Sequence, residues 1–248
     1  MFLGASALLL FGASRQSVPL ALLLPVGWGL LVYAGISIRA SGRADEEFNI
    51  GAAEALKLGY YGDQEILPLT PLLGAGDRRR FEHCMQGPLR TGGPPVTLSE
   101  YTFEIRHSNG DKPDTWTPYH WTAAIVELEH AMEKFPGFYL REDKGWLGRI
   151  SSDDWLPDRH LECVELESIA FNERCDLLAV EGQDPVALRR LFSPTFVVWL
   201  TDHPLDLGIE LRAGTLVVYV PGPVEDLGNL ALLLDATREI LARVEAEL

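Results

Sequence analysis

Ile209–Val220 reads IELRAGTLVVYV, and the way this stretch folds decides the class of the domain. Ile209 and Leu211 alternate with polar neighbours, as in a half-buried strand. Ala213-Gly214 is a two-residue break that suits a hairpin turn. Leu216 to Val220 is nearly all apolar. A strand of that composition needs cover on both faces, so the second arm of the hairpin is expected at the centre of a sheet.

Downstream lies the clearest helix, from Val224 to the C-terminus. Leu227, Leu230, Leu234, Thr237, Leu241, Val244 and Leu248 recur at alternating steps of three and four. That is a heptad seam, on which Leu227, Leu234 and Leu241 would meet a partner helix. Leu232, Leu233 and Ile240 broaden the stripe and argue instead for an amphipathic helix laid on the sheet.

Upstream, Asp184-Pro185 begins a helix, with the aspartate as cap and proline at the first position. It is stopped by Ser193-Pro194. Thr195–Thr201 (TFVVWLT) is rich in β-formers and reads as a strand, with continued helix as the rival. His160–Leu166, Arg174–Val180 and Phe138–Leu140 are further strands. Val96–His107 (VTLSEYTFEIRH) alternates with one slip between Leu98 and Tyr101, where a bulge would fit. Asn109-Gly110 is a second hairpin turn, leading into a returning strand over Trp116–Leu128. The fold expected is α+β: a mostly antiparallel sheet, helices on one face, and a long C-terminal helix packed on it. Between Asp143 and Pro157 lies a loop whose Trp146 and Trp155 are candidate partner-binding aromatics.

The N-terminal part differs in kind. Val18–Ile38 (VPLALLLPVGWGLLVYAGISI) contains no charge. At ~1.5 Å per residue a helix of this length covers the ~30 Å of bilayer hydrocarbon, which makes it a transmembrane anchor to the lipid bilayer. Met1–Ala13 is also uncharged, and residues 2–14 would give a first span if the anchor is a helical hairpin turning at Ser14–Ser17. Residues 1–43 are thus read as anchor, 44–80 as a juxtamembrane helix and linker, and 81–248 as the globular domain. Arg39 and Arg43 follow the span while only Arg15 precedes it, so the C-terminal domain is expected in the cytoplasm.

The anchor is basic and the rest acidic. All 36 Asp and Glu lie beyond Arg43, against 18 of the 21 Lys and Arg, a net −18. Such a surface repels phosphate and argues against nucleic acid as a partner. Three cysteines, Cys84, Cys163 and Cys175, are too few and too irregular for a disulfide framework. The triple arginine Arg78-Arg79-Arg80 reads as a solvated run, with lipid headgroups as the other reading.

Glu167-Ser168-Ile169-Ala170-Phe171-Asn172, a strand, an acidic turn and a helix ending at Ser-Pro resemble an uncharacterised, mostly actinobacterial family of membrane-anchored proteins. Leu58-Gly59-Tyr60-Tyr61, Arg78–Arg80, Gly87, Glu100–Phe103 and Phe135-Pro136 fall in that family's order, although Phe135-Pro136 stands where the family has Leu-Pro. The resemblance covers residues 55–245 and implies an anchor and a fold, but no activity and no site residue.

No nucleophile elbow, phosphate loop, dinucleotide fingerprint or metal-ligand spacing occurs. His83-Cys84 and His160-x-x-Cys163 would place their side chains on opposite faces of strands, and Glu165/Glu167 reads as solvated surface. No catalytic, cofactor or metal residue is nominated. The expectation is a membrane-anchored interaction or regulatory domain whose partner is another membrane or cytoplasmic protein met through the C-terminal helix. The alternative is an enzyme or small-ligand domain with a dispersed site near 143–157.

Overall fold

The computed structural model describes residues 43–110, 112–142 and 161–248. The candidate spans, Trp146 and Trp155 lie outside these. No helix among the described residues is long and apolar enough to cross a membrane. The chain divides into two units, Met1–Glu47 and Phe48–Leu248, and only the second is described at length.

In chain order the described elements are α1 (residues 43–56), β1 (Gly59–Gln64), α2 (Pro71–Gly74), β2 (Arg78–Pro88), β3 (Pro95–Asn109) and β4 (Lys112–Glu127). There follow β5 (Gly137–Glu142), β6 (Leu161–Cys163), α3 (Ile169–Arg174), β7 (Cys175–Val180), α4 (Pro185–Leu191) and α5 (Pro194–Asp202). The chain closes with β8 (Gly208–Arg212), β9 (Thr215–Pro221) and α6 (Leu227–Glu247). The strands form one nine-stranded sheet in the order β1-β2-β3-β4-β9-β8-β5-β7-β6. Every pairing in it is antiparallel.

The hairpin at Ala213-Gly214 forms as expected, with both turn residues at positive φ (48° and 74°). Its second arm β9 is the fifth of the nine strands, and Thr215–Val220 is buried throughout. Its side chains alternate between two separate cores. Leu216, Val218 and Val220 face the helices, while Val217 and Tyr219 belong to a second cluster on the opposite face.

The helix-side core gathers α6, α4, α5 and the Ala52–Ala53 face of α1. Asp226 caps α6 by accepting from the Asn229 N–H at 2.9 Å. Leu230, Leu233, Leu234, Ile240, Leu241 and Val244 then point into the sheet. The broad stripe is the one that matters. Asp184 likewise caps α4, accepting from Val186 N–H at 2.8 Å.

Among the described residues the opposite core has no long helix over it. Its cover is a strap, residues 66–77, containing the single turn α2. Leu72 and Leu73 are fully buried under it against Phe81, Tyr101, Phe103, Trp121 and Tyr219.

This second cover explains the irregular pattern in β3. The β3–β4 register is continuous from Val96↔Val126 to His107↔Thr115, so the expected bulge in β3 is absent. Instead the apolar side changes. Val96 and Leu98 face the helices, and beyond them Tyr101 and Phe103 face the strap. The bulge sits in the neighbouring strand β2, where three steps from Glu82 to Met85 match two on β3, and His83 takes φ 54°.

Two further segments differ from the reading of the sequence. Thr195–Thr201 is helix, not strand. Phe196, Val197 and Leu200 are buried while Thr195 and Val198 are exposed, a helical spacing that outweighs β propensity once Ser193-Pro194 has started the turn. Gly59–Gln64, read as the end of the juxtamembrane helix and the start of its linker, is an edge strand with two register shifts. The preceding helix stops at Lys57 (φ 59°), where Leu58 N–H reaches Ala53 C=O at 2.8 Å.

Because Leu241 is 1% exposed and Leu232 37%, Leu241→Ala should lower unfolding stability by about 2–5 kcal/mol. Leu232→Ala should stay within about 0.5 kcal/mol. Urea unfolding of the two variants checks this.

Candidate functional site

The sequence offered five partner-contact residues. Leu234 and Leu241 are 5% and 1% exposed and belong to the helix-side core, so no partner reaches them on the folded chain. Leu227 is 39% exposed at the first turn of α6. Trp146 and Trp155 are outside the described residues. Cys163 pairs in register with Leu178, three residues along β7 from Cys175, which sets the two cysteines about 10 Å apart along the strand direction, too far to bridge.

The triple arginine is committed. Arg78 and Arg80 reach Glu104 at 3.6 and 3.3 Å, and Arg78 lies 3.8 Å over the Trp116 ring. Arg79, on the other face, donates to the carbonyls of Gly74 (2.7 Å) and Gly76 (3.3 Å) and so ties down the strap.

Two arrangements stand out from this background. One is an open cavity of about 600 Å³ between the segment 165–168 and the α4–α5 pair. Glu165, Glu167 and Arg189 supply its charges, and Leu166, Phe192, Pro194, Val197 and Val198 its apolar wall. Each side is fixed by local chemistry. Asn172 holds Leu166 by both backbone groups, accepting from its N–H (3.1 Å) and donating to its C=O (2.8 Å). Ser168 caps α3, accepting from Phe171 N–H. On the facing side Phe192 belongs to an aromatic file, Phe138–Phe192–Phe196–Trp199, with centroids 5.5–5.6 Å apart. Arg243 of α6 sits 4.5 Å over the Phe196 ring. The wall is aromatic and aliphatic and the rim is charged. Among the described residues neither carboxylate nor Arg189 is engaged in an ion pair. Val198 remains 59% exposed at the cavity edge.

Reasoning from sequence missed this site. Glu165 and Glu167 look like any acidic pair, and Arg189 meets them only once α4 has folded back. The one signal was the Glu167–Asn172 motif, whose Ser168 and Asn172 turn out to be the residues that shape the rim.

The other arrangement is a buried carboxylate. Glu210 is 1% exposed, on the strap side of β8. Its Oε2 accepts from Leu72 N–H at 2.9 Å, and its carboxylate also bonds the Thr70 hydroxyl. Burial pushes its pKa up to about 7, opposed by the bonds from Thr70 and Leu72 and by the charge of Arg141. The neighbouring phenols of Tyr101 and Tyr219 are raised as well, chiefly by burial. Burial also raises the Cys84 thiol, opposed by its hydrogen bond with Ser99. No three His, Cys, Asp or Glu among the described residues are grouped to hold a metal ion.

Compared with models of known protein families, with curated proteins and with solved structures, the chain matches none.

Glu210 sets the direction of one pH effect. A carboxyl whose pKa is about 7 folded and 4.5 unfolded retains a proton in the native state that the unfolded chain has lost. Stability is therefore full below the unfolded value and falls as pH rises through the window up to about 7. Denaturant titrations at pH 5 and pH 8 should show Glu210→Gln relatively more stable at the higher pH, by up to about 3 kcal/mol. A wild-type-minus-variant difference that is flat with pH contradicts the assignment.

Proposed function

We propose that the chain is a membrane-tethered binding domain. It is held at the cytoplasmic face by Val18–Ile38 and acts by gripping a segment of a partner protein rather than by transforming a substrate. The observation that carries this reading is the cavity between residues 165–168 and α4–α5. Its volume of about 600 Å³ lies in the range of ligand sites, and it joins an apolar wall to charged groups that no ion pair among the described residues neutralises. Two carboxylates against one guanidinium, on a domain of net −18, favour a basic, amphipathic segment.

This places the partner contact away from the heptad positions of α6, whose Leu234 and Leu241 are occupied by the sheet. The tether rests on the uncharged length of 18–38, the cytoplasmic side on Arg39 and Arg43, and the family resemblance on motif order alone.

The test is co-purification from gently solubilised membranes, with the wild-type chain beside a Glu167→Lys/Val198→Asp variant. Both positions line the cavity rim, so the fold should be retained. A stoichiometric partner is expected with the wild type, reduced at least tenfold by the double substitution. A partner retained equally by both, or none with either, contradicts the proposal. A reporter fused after Leu248 should be active only on the cytoplasmic side.

A further inference from the structure

The strap over residues 66–77 is a separate device from the cavity, on the opposite face of the sheet. Its attachments are unequal in kind. At its far end Asp77 N–H donates to Glu104 C=O (2.9 Å), and the Asp77 carboxylate accepts from Arg106 N–H (2.8 Å). Arg79 then binds the Gly74 and Gly76 carbonyls. Gly76 is at φ 73°, and a Cβ there would stand 2.8 Å from the Phe103 ring, so this end is seated on the sheet backbone. These contacts are exposed.

At its middle the strap is held differently. Tyr101 donates to Leu73 C=O (3.2 Å), and Thr70 and Leu72 both bond Glu210. Glu210 is thus the one carboxyl group, among the described residues, that joins the strap's turn to the sheet from beneath.

Its surroundings come from every element packed around it. Tyr139 lies directly opposite on β5, and Arg141 two residues further along the same strand face. Arg141 is itself 3.5 Å from Asp176 of β7, which divides its charge. Tyr219 of β9 and Tyr101 of β3 are neutral phenols coupled to the carboxylate. Arg79 of β2 acts from the strap's outer edge, and on β8 itself Arg212 points its guanidinium to Pro136 C=O. Among the described residues no full positive charge is dedicated to Glu210.

We propose that residues 66–77 form a proton-gated strap: protonated Glu210 keeps it closed over the aromatic face of the sheet, and loss of that proton to solvent releases it. The chemistry is an acid dissociation alone. In the closed state the neutral carboxyl keeps its bonds with Leu72 N–H and Thr70 hydroxyl at little desolvation cost. The carboxylate bonds the same two donors but is cut off from water at 1% exposure, with an arginine shared with Asp176 as its counter-charge, and opening gives it water. Opening uncovers Leu72, Leu73 and the Phe81–Tyr101–Phe103 row, an apolar surface that is sealed at lower pH.

The experiment is amide hydrogen exchange on the whole chain, Met1–Leu248, in mild detergent at pH 5 to 8, corrected for intrinsic exchange. Leu72 and Leu73 report the strap, and Val217 and Val218 of β9 report the sheet. Strap amides should exchange through an opening smaller than the global unfolding that β9 reports, their protection should fall tenfold or more across this range, and Glu210→Gln should flatten the dependence. Wild-type strap protection that is flat or rising with pH, or an unchanged fall in Glu210→Gln, overturns the proposal. Should that variant not fold, the wild-type carboxyl is followed instead by its infrared C=O band. A titration near pH 7 that tracks strap exchange supports the gate, and an ordinary one near 4.5 overturns it. Both readouts are independent of the partner cavity, so failure here and failure there are told apart.

Discussion

The structure depends on one constraint: β9 is apolar on both faces, so both faces of the sheet must be kept from water. A strand that alternates can leave one side wet, whereas Thr215–Val220 cannot. On one side the requirement is met in the usual way, by α6 and the shorter helices. On the other no long helix among the described residues serves, and the cover is twelve residues of strap with a single helical turn. The exchange of the apolar side along β3 follows from this division, and the bulge in β2 lies beside it.

A strap so short contributes few apolar side chains, chiefly Leu72 and Leu73, and needs polar anchors to hold its backbone. A carbonyl or N–H buried without a partner would cost about 1–3 kcal/mol, so each contact counts. Arg79 and Tyr101 satisfy carbonyls, and Glu210 satisfies a helix-start N–H. Glu210 is the expensive member of the set, because an apolar residue of the same size would carry no desolvation cost. Its presence makes the strap's attachment responsive to protons where hydrocarbon would not. Gly208, two residues before it, makes room for the Tyr219 ring, where a Cβ would stand 2.2 Å away. The two residues together build the floor on which the strap rests.

Much of the sheet was legible before any coordinates. The Ala213-Gly214 turn, the hairpin turn at Gly110 (one residue later than expected from Asn109-Gly110), the central place of β9, the Asp184 cap and the broad stripe on α6 all follow from local rules that act within a few residues. The misreadings have a common cause. Thr195–Thr201 looks like a strand until tertiary burial at Phe196, Val197 and Leu200 fixes a helical period. The slip between Leu98 and Tyr101 is a change of covering layer, which periodicity along one strand cannot distinguish from a bulge. The strap resembles an ordinary proline-containing linker because its fixed points, Arg79, Tyr101 and Glu210, are contributed by other strands. The cavity was illegible for the same reason, since Glu167 and Arg189 meet only through the packing of α4 against the segment that Asn172 holds.

The two functional devices sit on opposite faces of one sheet: an open, charged cavity on the helix side and a sealed aromatic face under the strap. Both presuppose that the sheet between them is a single stable body organised on β9. Native-state hydrogen exchange of Val217, Val218 and Tyr219 measures that directly. The account predicts that these amides exchange only through global unfolding, with a free energy equal to that from denaturant titration, and more slowly than amides of the edge strand β1. If they exchange through a smaller opening, or as fast as β1, then β9 is not the element on which the two faces depend.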